Sequence, residues 1–161
     1  MQHVTRPEFV TPVHRWRTSF FVTYFFSKSQ LLRFRGSFRC VFSESGQYDS
    51  PDHITQPDLS VVCSKNQMAK NGCQGAPTII IEVLSPATAL KDFNEKFNLY
   101  QKYGVQEYWI VDPGNRTVHV YTLENGVYQV RNLFTELDHI QSIVFHDLQI
   151  PVSKMFGLEQ Q

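Results

Sequence analysis

The 161-residue sequence predicts a single α/β domain spanning 1–161, an α+β arrangement in which a mixed sheet is flanked by helices. Three observations predict it. Short apolar runs rich in Val and Ile recur at 59–63, 79–84 and 107–113; a helix-patterned stretch separates the last two; and an Asn-Gly pair joins two alternating segments nearer the C-terminus. At 42% hydrophobic residues the chain can bury one substantial core and is too short for two ordinary domains.

The elements follow in order. Residues 13–32 repeat apolar groups at Trp16, Phe20, Val22, Phe26 and Leu31, a loose helical pattern whose aromatic and β-branched content lowers helix propensity. Residues 37–43 read as a strand and the polar stretch up to Gln56 as a loop. The run 59–63 is the next strand, followed by a loop rich in Lys, Asn and Gly as far as Pro77. Ile79 to Leu84 is apolar except for Glu82 and reads as a central strand covered on both faces. A helix is expected from Ala89, after the start signals Pro86 and Thr88, to Tyr103, with Gly104 as its left-handed stop. Phe93, Phe97 and Tyr100 give that helix a face to bury. Residues 107–113 form a further strand, 117–123 and 127–131 a hairpin closed by Glu124, Asn125 and Gly126, and the tail 142–156 a short strand with a closing segment.

Composition bounds the function. Net charge is zero, but residues 1–50 hold seven Lys or Arg against three Asp or Glu, and the remainder eight against twelve. A basic front half can meet a polyanion through its local field, with Arg15, Arg17, Arg33 and Arg35 as phosphate contacts if they border the site. Scattered charges that merely solvate the surface are the competing explanation. Three cysteines, Cys40, Cys63 and Cys73, lack CxxC spacing, which argues against a disulfide framework and for a reducing compartment. The aromatic run 20–26 is far short of the roughly 20 residues that span a bilayer, so a soluble cytoplasmic protein is expected, without membrane association. Six histidines without HExxH or close HxH spacing argue against a zinc hydrolase. The absence of GxSxG, GxGxxG and GxxxxGK[ST] argues against acyl transfer and nucleotide use.

What remains is a set of acidic residues placed where apolar runs should meet solvent or metal. Glu82 shares a strand face with Ile80 and Leu84, which turns its carboxylate into a packing layer unless a cation or hydrogen bonds compensate. Asp58 opens the preceding strand. Two such carboxylates with the Val83 carbonyl suit a hard ion such as magnesium, or manganese in its place, and that chemistry suits phosphodiester hydrolysis. Lys96, four residues after Asp92 and four before Tyr100, projects from one side of the helix, where an amine can orient or deprotonate water and steady phosphorane charge. Each member also has a plainer reading: Glu82 paired with a basic residue at the sheet margin, Asp58 as a turn residue, Asp92 and Lys96 as an exposed ion pair. His14 is a weak phosphate contact, and Tyr108 and Trp109 read as core aromatics.

The segments PDLSVV, GAPxxxIEVLSP, DFNEKFNLYQKYGVQEYWIVDP and the LxxGxY hairpin resemble the Uma2 family, which is placed in the PD-(D/E)xK superfamily with restriction endonucleases. The similarity runs from about Thr11 to Phe156. It implies a restriction-endonuclease-like core, a homodimer, DNA as partner, and Asp58, Glu82 and Lys96 as catalytic residues, the lysine having moved to the helix while Leu84 takes its usual place. Two departures stand out. Thr78 follows Pro77 where relatives carry Asp, and the Glu-bearing opening segment is missing unless Glu8 stands in. Thr78 and Asp92 are then supporting residues beside the ligands. The leading expectation is a magnesium-dependent DNA endonuclease; the alternatives are a catalytically impaired nuclease fold acting as a DNA-binding protein, and a structural dimer with 20–26 at its interface.

Overall fold

The computed structural model describes residues 41–43, 47–50, 53–55, 57–63, 67–69, 72–86, 89–146 and 148–157. The expected helix over 13–32, the first part of the strand at 37–43, and Glu8, His14 and the four arginines lie outside them.

A six-stranded mixed sheet organises the chain. Its order is β1 (Val41–Ser43), β4 (Leu59–Val62), β7 (Ile79–Val83), β8 (Glu107–Asp112), β9 (Thr117–Glu124) and β10 (Val127–Thr135). β7 and β8 pair in parallel and every other neighbour is antiparallel. Parallel neighbours need a crossover, and the helical segment between them supplies it. That segment consists of α1 (Ala89–Lys91), a π-helical turn (Asp92–Lys96) and α2 (Phe97–Tyr103). The sequence pattern suggested one regular helix over the same residues, and the wide central turn is a local departure from it.

The strand alternation sorts two cores. Ile79, Ile81 and Val83 face one layer with Leu59, Val61, Trp109, Val111, Val118 and Val120, covered by the C-terminal β11 (His139–Gln141), β12 (Gln149–Pro151) and α3 (Val152–Met155). Ile80 and Leu84 face the other with Tyr108, Ile110 and Tyr128, covered by Phe93, Phe97 and Tyr100 of the helical segment. Glu82 falls on this helix side, between Ile80 and Leu84, as the period of two requires.

Two stretches expected to be loops contain strands. β2 (Gln47–Ser50), β3 (His53–Thr55), β5 (Met68–Ala69) and β6 (Gly72–Gln74) build a separate four-stranded sheet in the order β3-β2-β6-β5. Its central pair, β2 with β6, is parallel and joins residues about 25 positions apart in sequence. Backbone pairing of this kind leaves no hydrophobic period to read, which is why polar composition suggested loops. The hairpin strands also run further than expected, to Glu124 and Thr135, with a bulge between Val130 and Asn132.

Glu107 departs from the expectation that acidic residues at strand ends meet solvent or metal. It is fully buried. Its carboxylate accepts hydrogen bonds from Trp109 Nε1 at 3.1 Å, Ser142 Oγ at 2.9 Å and the Ile143 N–H, and so fastens the segment between β11 and β12 to the sheet.

Gly104 ends α2 with φ 81°, its N–H donating back to the carbonyls of Tyr100 and Gln101. An added Cβ would meet nothing within 4 Å, so the whole penalty of a side chain there is conformational. Gly104→Ala is expected to lower stability by about 1–2 kcal/mol, read as a shift in the urea midpoint at constant slope. No change in midpoint would show that the left-handed cap contributes nothing.

Candidate active site

The site forms where β4 begins and β7 ends. The antiparallel register pairs Leu59 with Ile81, and one step further along both strands brings Asp58 beside Glu82. Two hydrogen bonds run across this junction in opposite directions. The Asp58 N–H donates to Glu82 Oε2 at 3.3 Å, and the Val83 N–H donates to Asp58 Oδ2 at 2.7 Å. Asp58 thus uses Oδ2 to hold the backbone of the neighbouring strand, not a local turn, while its Oδ1 makes no hydrogen bond to a described residue.

The helical segment delivers the rest. Lys96 Nζ lies 3.0 Å from Glu82 Oε2 and 2.8 Å from Asp92 Oδ1, with both carboxylate side chains 2% exposed and the lysine 16%. This is a buried three-membered network, not the exposed pair that spacing alone allowed. Tyr100, one turn further on, donates its hydroxyl to Glu82 Oε1 at 2.7 Å. Tyr108, on β8, donates to the backbone carbonyl of Asp92 at 3.1 Å, at the first residue of the π-helical turn. Such turns carry irregular backbone bonding and are often found at functional sites. Here the turn contains both Asp92 and Lys96, and its carbonyl partner comes from the neighbouring strand.

The electrostatics follow from burial. Desolvation pushes the Glu82 carboxyl up to about 7, with Asp58 adding to the rise and Lys96 and Tyr100 opposing it. For Lys96, burial works against the charged form, but Glu82 and Asp92 together outweigh it and raise the amine above its ordinary value. Lys96 is thus an ammonium at neutral pH. It can orient a ligand and stabilise negative charge, whereas proton abstraction from water, also expected of it, requires the form that its neighbours disfavour. Tyr108 is raised by burial and by the nearby Glu82 charge, and remains a hydrogen-bond donor.

The Glu82 shift has a stability consequence with a definite sign. A folded pKa above the ordinary 4.5 means that the folded chain binds the proton more tightly. The resulting stabilisation is complete below about 4.5, declines as pH rises, and is gone above about 7. Carbon-13 NMR titration of the Glu82 carboxyl in metal-free protein is expected to give a midpoint near 7, higher still in Lys96→Met, where the largest opposing charge is removed. A midpoint in the ordinary carboxylate range would contradict the burial seen here.

The structure thus brings together Asp58, Glu82, Val83 through its N–H, Asp92 and Lys96. It does not bring in Thr78. That residue lies just before β7, four residues or roughly 13 Å of strand from Glu82, and its backbone bonds to Val61, Gln106 and Glu107. Sharing a strand face does not make two residues neighbours when two pleats separate them. Tyr100 and Tyr108 were legible only as packing residues, because their spacing is that of a buried face and nothing in it marks a hydroxyl as a partner.

A hard cation fits this donor set. Glu82 and Asp92 both contact the Lys96 ammonium, and Asp58, beside Glu82 on the neighbouring strand, keeps an oxygen that no described residue engages. Magnesium keeps several waters and needs only one or two carboxylates from protein. Among the described residues no group of three or more His, Cys, Asp or Glu side chains is placed to hold a metal ion.

A family model described as "Uma2: Putative restriction endonuclease" matches residues 8–153, most of the chain. The chain belongs to the Uma2 family. The fold of this Uma2 protein is also that of a crystal structure from Anabaena variabilis ATCC 29413, described as a putative nuclease belonging to DUF820. The likeness has a TM-score of 0.72 at 23% identity and covers 96% of this chain and 86% of that one. No curated protein matches the Uma2 chain. Among its described residues no helix is long and apolar enough to cross a membrane.

Proposed function

We propose that this Uma2 protein is a magnesium-dependent endonuclease that hydrolyses DNA phosphodiester bonds. The observation that carries the reading is the convergence on one oxygen, Glu82 Oε2, of the Asp58 backbone at 3.3 Å and the Lys96 ammonium at 3.0 Å. Asp58, Glu82 and the Val83 carbonyl are the residues that would hold magnesium, or manganese in its place. When bound, such an ion polarises the phosphoryl oxygen and lowers the pKa of its water.

The chain's own groups supply the remainder. Glu82 and Asp58 provide the negative charge that retains the cation. Lys96, kept charged by its carboxylate neighbours, steadies charge developing on the phosphate in the transition state. Asp92, 2.8 Å from Lys96 Nζ, gives the ammonium a second carboxylate partner besides Glu82. DNA is the proposed substrate, and the family resemblance supports action as a homodimer. The cysteine pattern supports a reducing, cytoplasmic setting.

The alternative of an impaired nuclease fold that binds DNA without cutting it drew only in part on Thr78. Its place just before β7 weakens that part of the argument, since a neutral residue there takes no ligand from the Glu82 site. Incubation with supercoiled plasmid and linear DNA in magnesium or manganese decides between the two. Nicked and linear products are expected; folded protein that retards DNA in a gel and yields no product in either metal would leave the binding protein as the correct reading.

A further inference from the structure

Tyr100 is fully buried, yet its hydroxyl is not left to packing: it is spent on one oxygen of the carboxylate at the centre of the site. The O–H donates to Glu82 Oε1 at 2.7 Å, while Oε2 receives the Asp58 N–H at 3.3 Å and faces Lys96 at 3.0 Å. The terminal torsion of a glutamate is soft and roughly twofold. A donor on one oxygen alone would let the group swing, whereas partners on both oxygens select one orientation. The ring that carries the hydroxyl is held as well, edge-on to Tyr108 at 5.1 Å, and Tyr108 is in turn bonded to the π-helical turn. A phenol also brings no positive charge, so it orients the carboxylate without competing with a cation for it.

We infer that Tyr100 is a positioning residue that holds Glu82 through Oε1 and so fixes the orientation in which Oε2 faces Asp58 and Lys96, the side of the site where the cation would bind, an inference that rests on the metal-dependent reading above. Partners of this kind, which touch the ligand and not the metal, typically change metal affinity by about 10–100-fold when removed. Tyr128 provides an internal comparison, because it is a buried phenol whose hydroxyl donates to the backbone carbonyl of Val105 and not to Glu82.

The test is manganese binding to the full metal-free chain, followed by electron paramagnetic resonance, with DNA cleavage measured over a manganese series. Tyr100→Phe is expected to weaken manganese binding about tenfold. It should leave the KM for DNA unchanged and recover kcat to within about threefold at saturating manganese, while Tyr128→Phe keeps manganese affinity within about twofold of the parent. A purely structural tyrosine would lower the melting temperature without that metal dependence. Equal manganese affinity in folded Tyr100→Phe and the parent overturns the inference, as does an equal loss in Tyr128→Phe. A parent chain that binds no manganese overturns it together with the metal-dependent reading, a result distinct from the first two. Should Tyr100→Phe fail to fold, 3,5-difluorotyrosine at position 100 preserves the shape and strengthens the donor, and an unchanged manganese affinity then refutes the assignment.

Discussion

Glu82→Gln is expected to reduce metal-dependent DNA cleavage by about three orders of magnitude while leaving the protein folded. A Lewis-acid ion contributes several kcal/mol to charge stabilisation in the transition state, and about 4 kcal/mol corresponds to roughly a thousandfold in rate. Glutamine keeps the volume of the side chain and can still accept from Tyr100, so the loss isolates charge. Lys96 keeps its contact with Asp92 at 2.8 Å and should stay near its place. The measurement is the first-order rate of plasmid nicking at saturating manganese, beside a thermal melt. A rate within tenfold of the parent would remove Glu82 from the mechanism, and with it the reason to assign metal chemistry to this junction.

The largest stability effect away from the site is expected at Glu107. Its carboxylate lies on the opposite side of the sheet, fully buried, and serves Trp109, Ser142 and Ile143 at once. Glu107→Ala would leave those donors buried without their acceptor, and each stranded donor costs about 1–3 kcal/mol. Allowing for water entering the space, a total of about 3–5 kcal/mol is expected, comparable to breaking a buried ion pair. Urea unfolding followed by Trp109 fluorescence would report it. The cleavage rate of the fraction still folded should change little, because Glu107 and Glu82 act on different layers. A loss below 1 kcal/mol would mean that the segment between β11 and β12 is held by its apolar contacts alone.

Much of the candidate site's strand face was legible from residue order. Alternation along 79–84 placed Glu82 with Ile80 and Leu84, and the structure shows that face turned to the helix. The strand–helix–strand order located the crossover, and Gly104 its end. The small sheet of β2, β3, β5 and β6 was not legible, since its pairing is made by backbone groups, with a parallel contact between distant stretches. Nor was the π-helical turn, which differs from a regular helix by one irregular backbone step that side-chain spacing does not encode.

The sequence by itself determined which strand carries a carboxylate on its packed face, that a lysine-bearing helix follows it, and that the carboxylate needs a cation or hydrogen bonds to compensate its burial, because these follow from the periods of two and 3.6 and from the cost of burying charge. Only the tertiary structure decided which of the candidates meet. Strand register set Asp58 against Glu82, depth of burial turned Lys96 and Asp92 from a surface pair into part of the site, and the separation along β7 left Thr78 outside it. The physical reason is that hydrogen bonds and ion pairs act over about 3 Å, a precision that chain periodicity does not reach and that packing supplies.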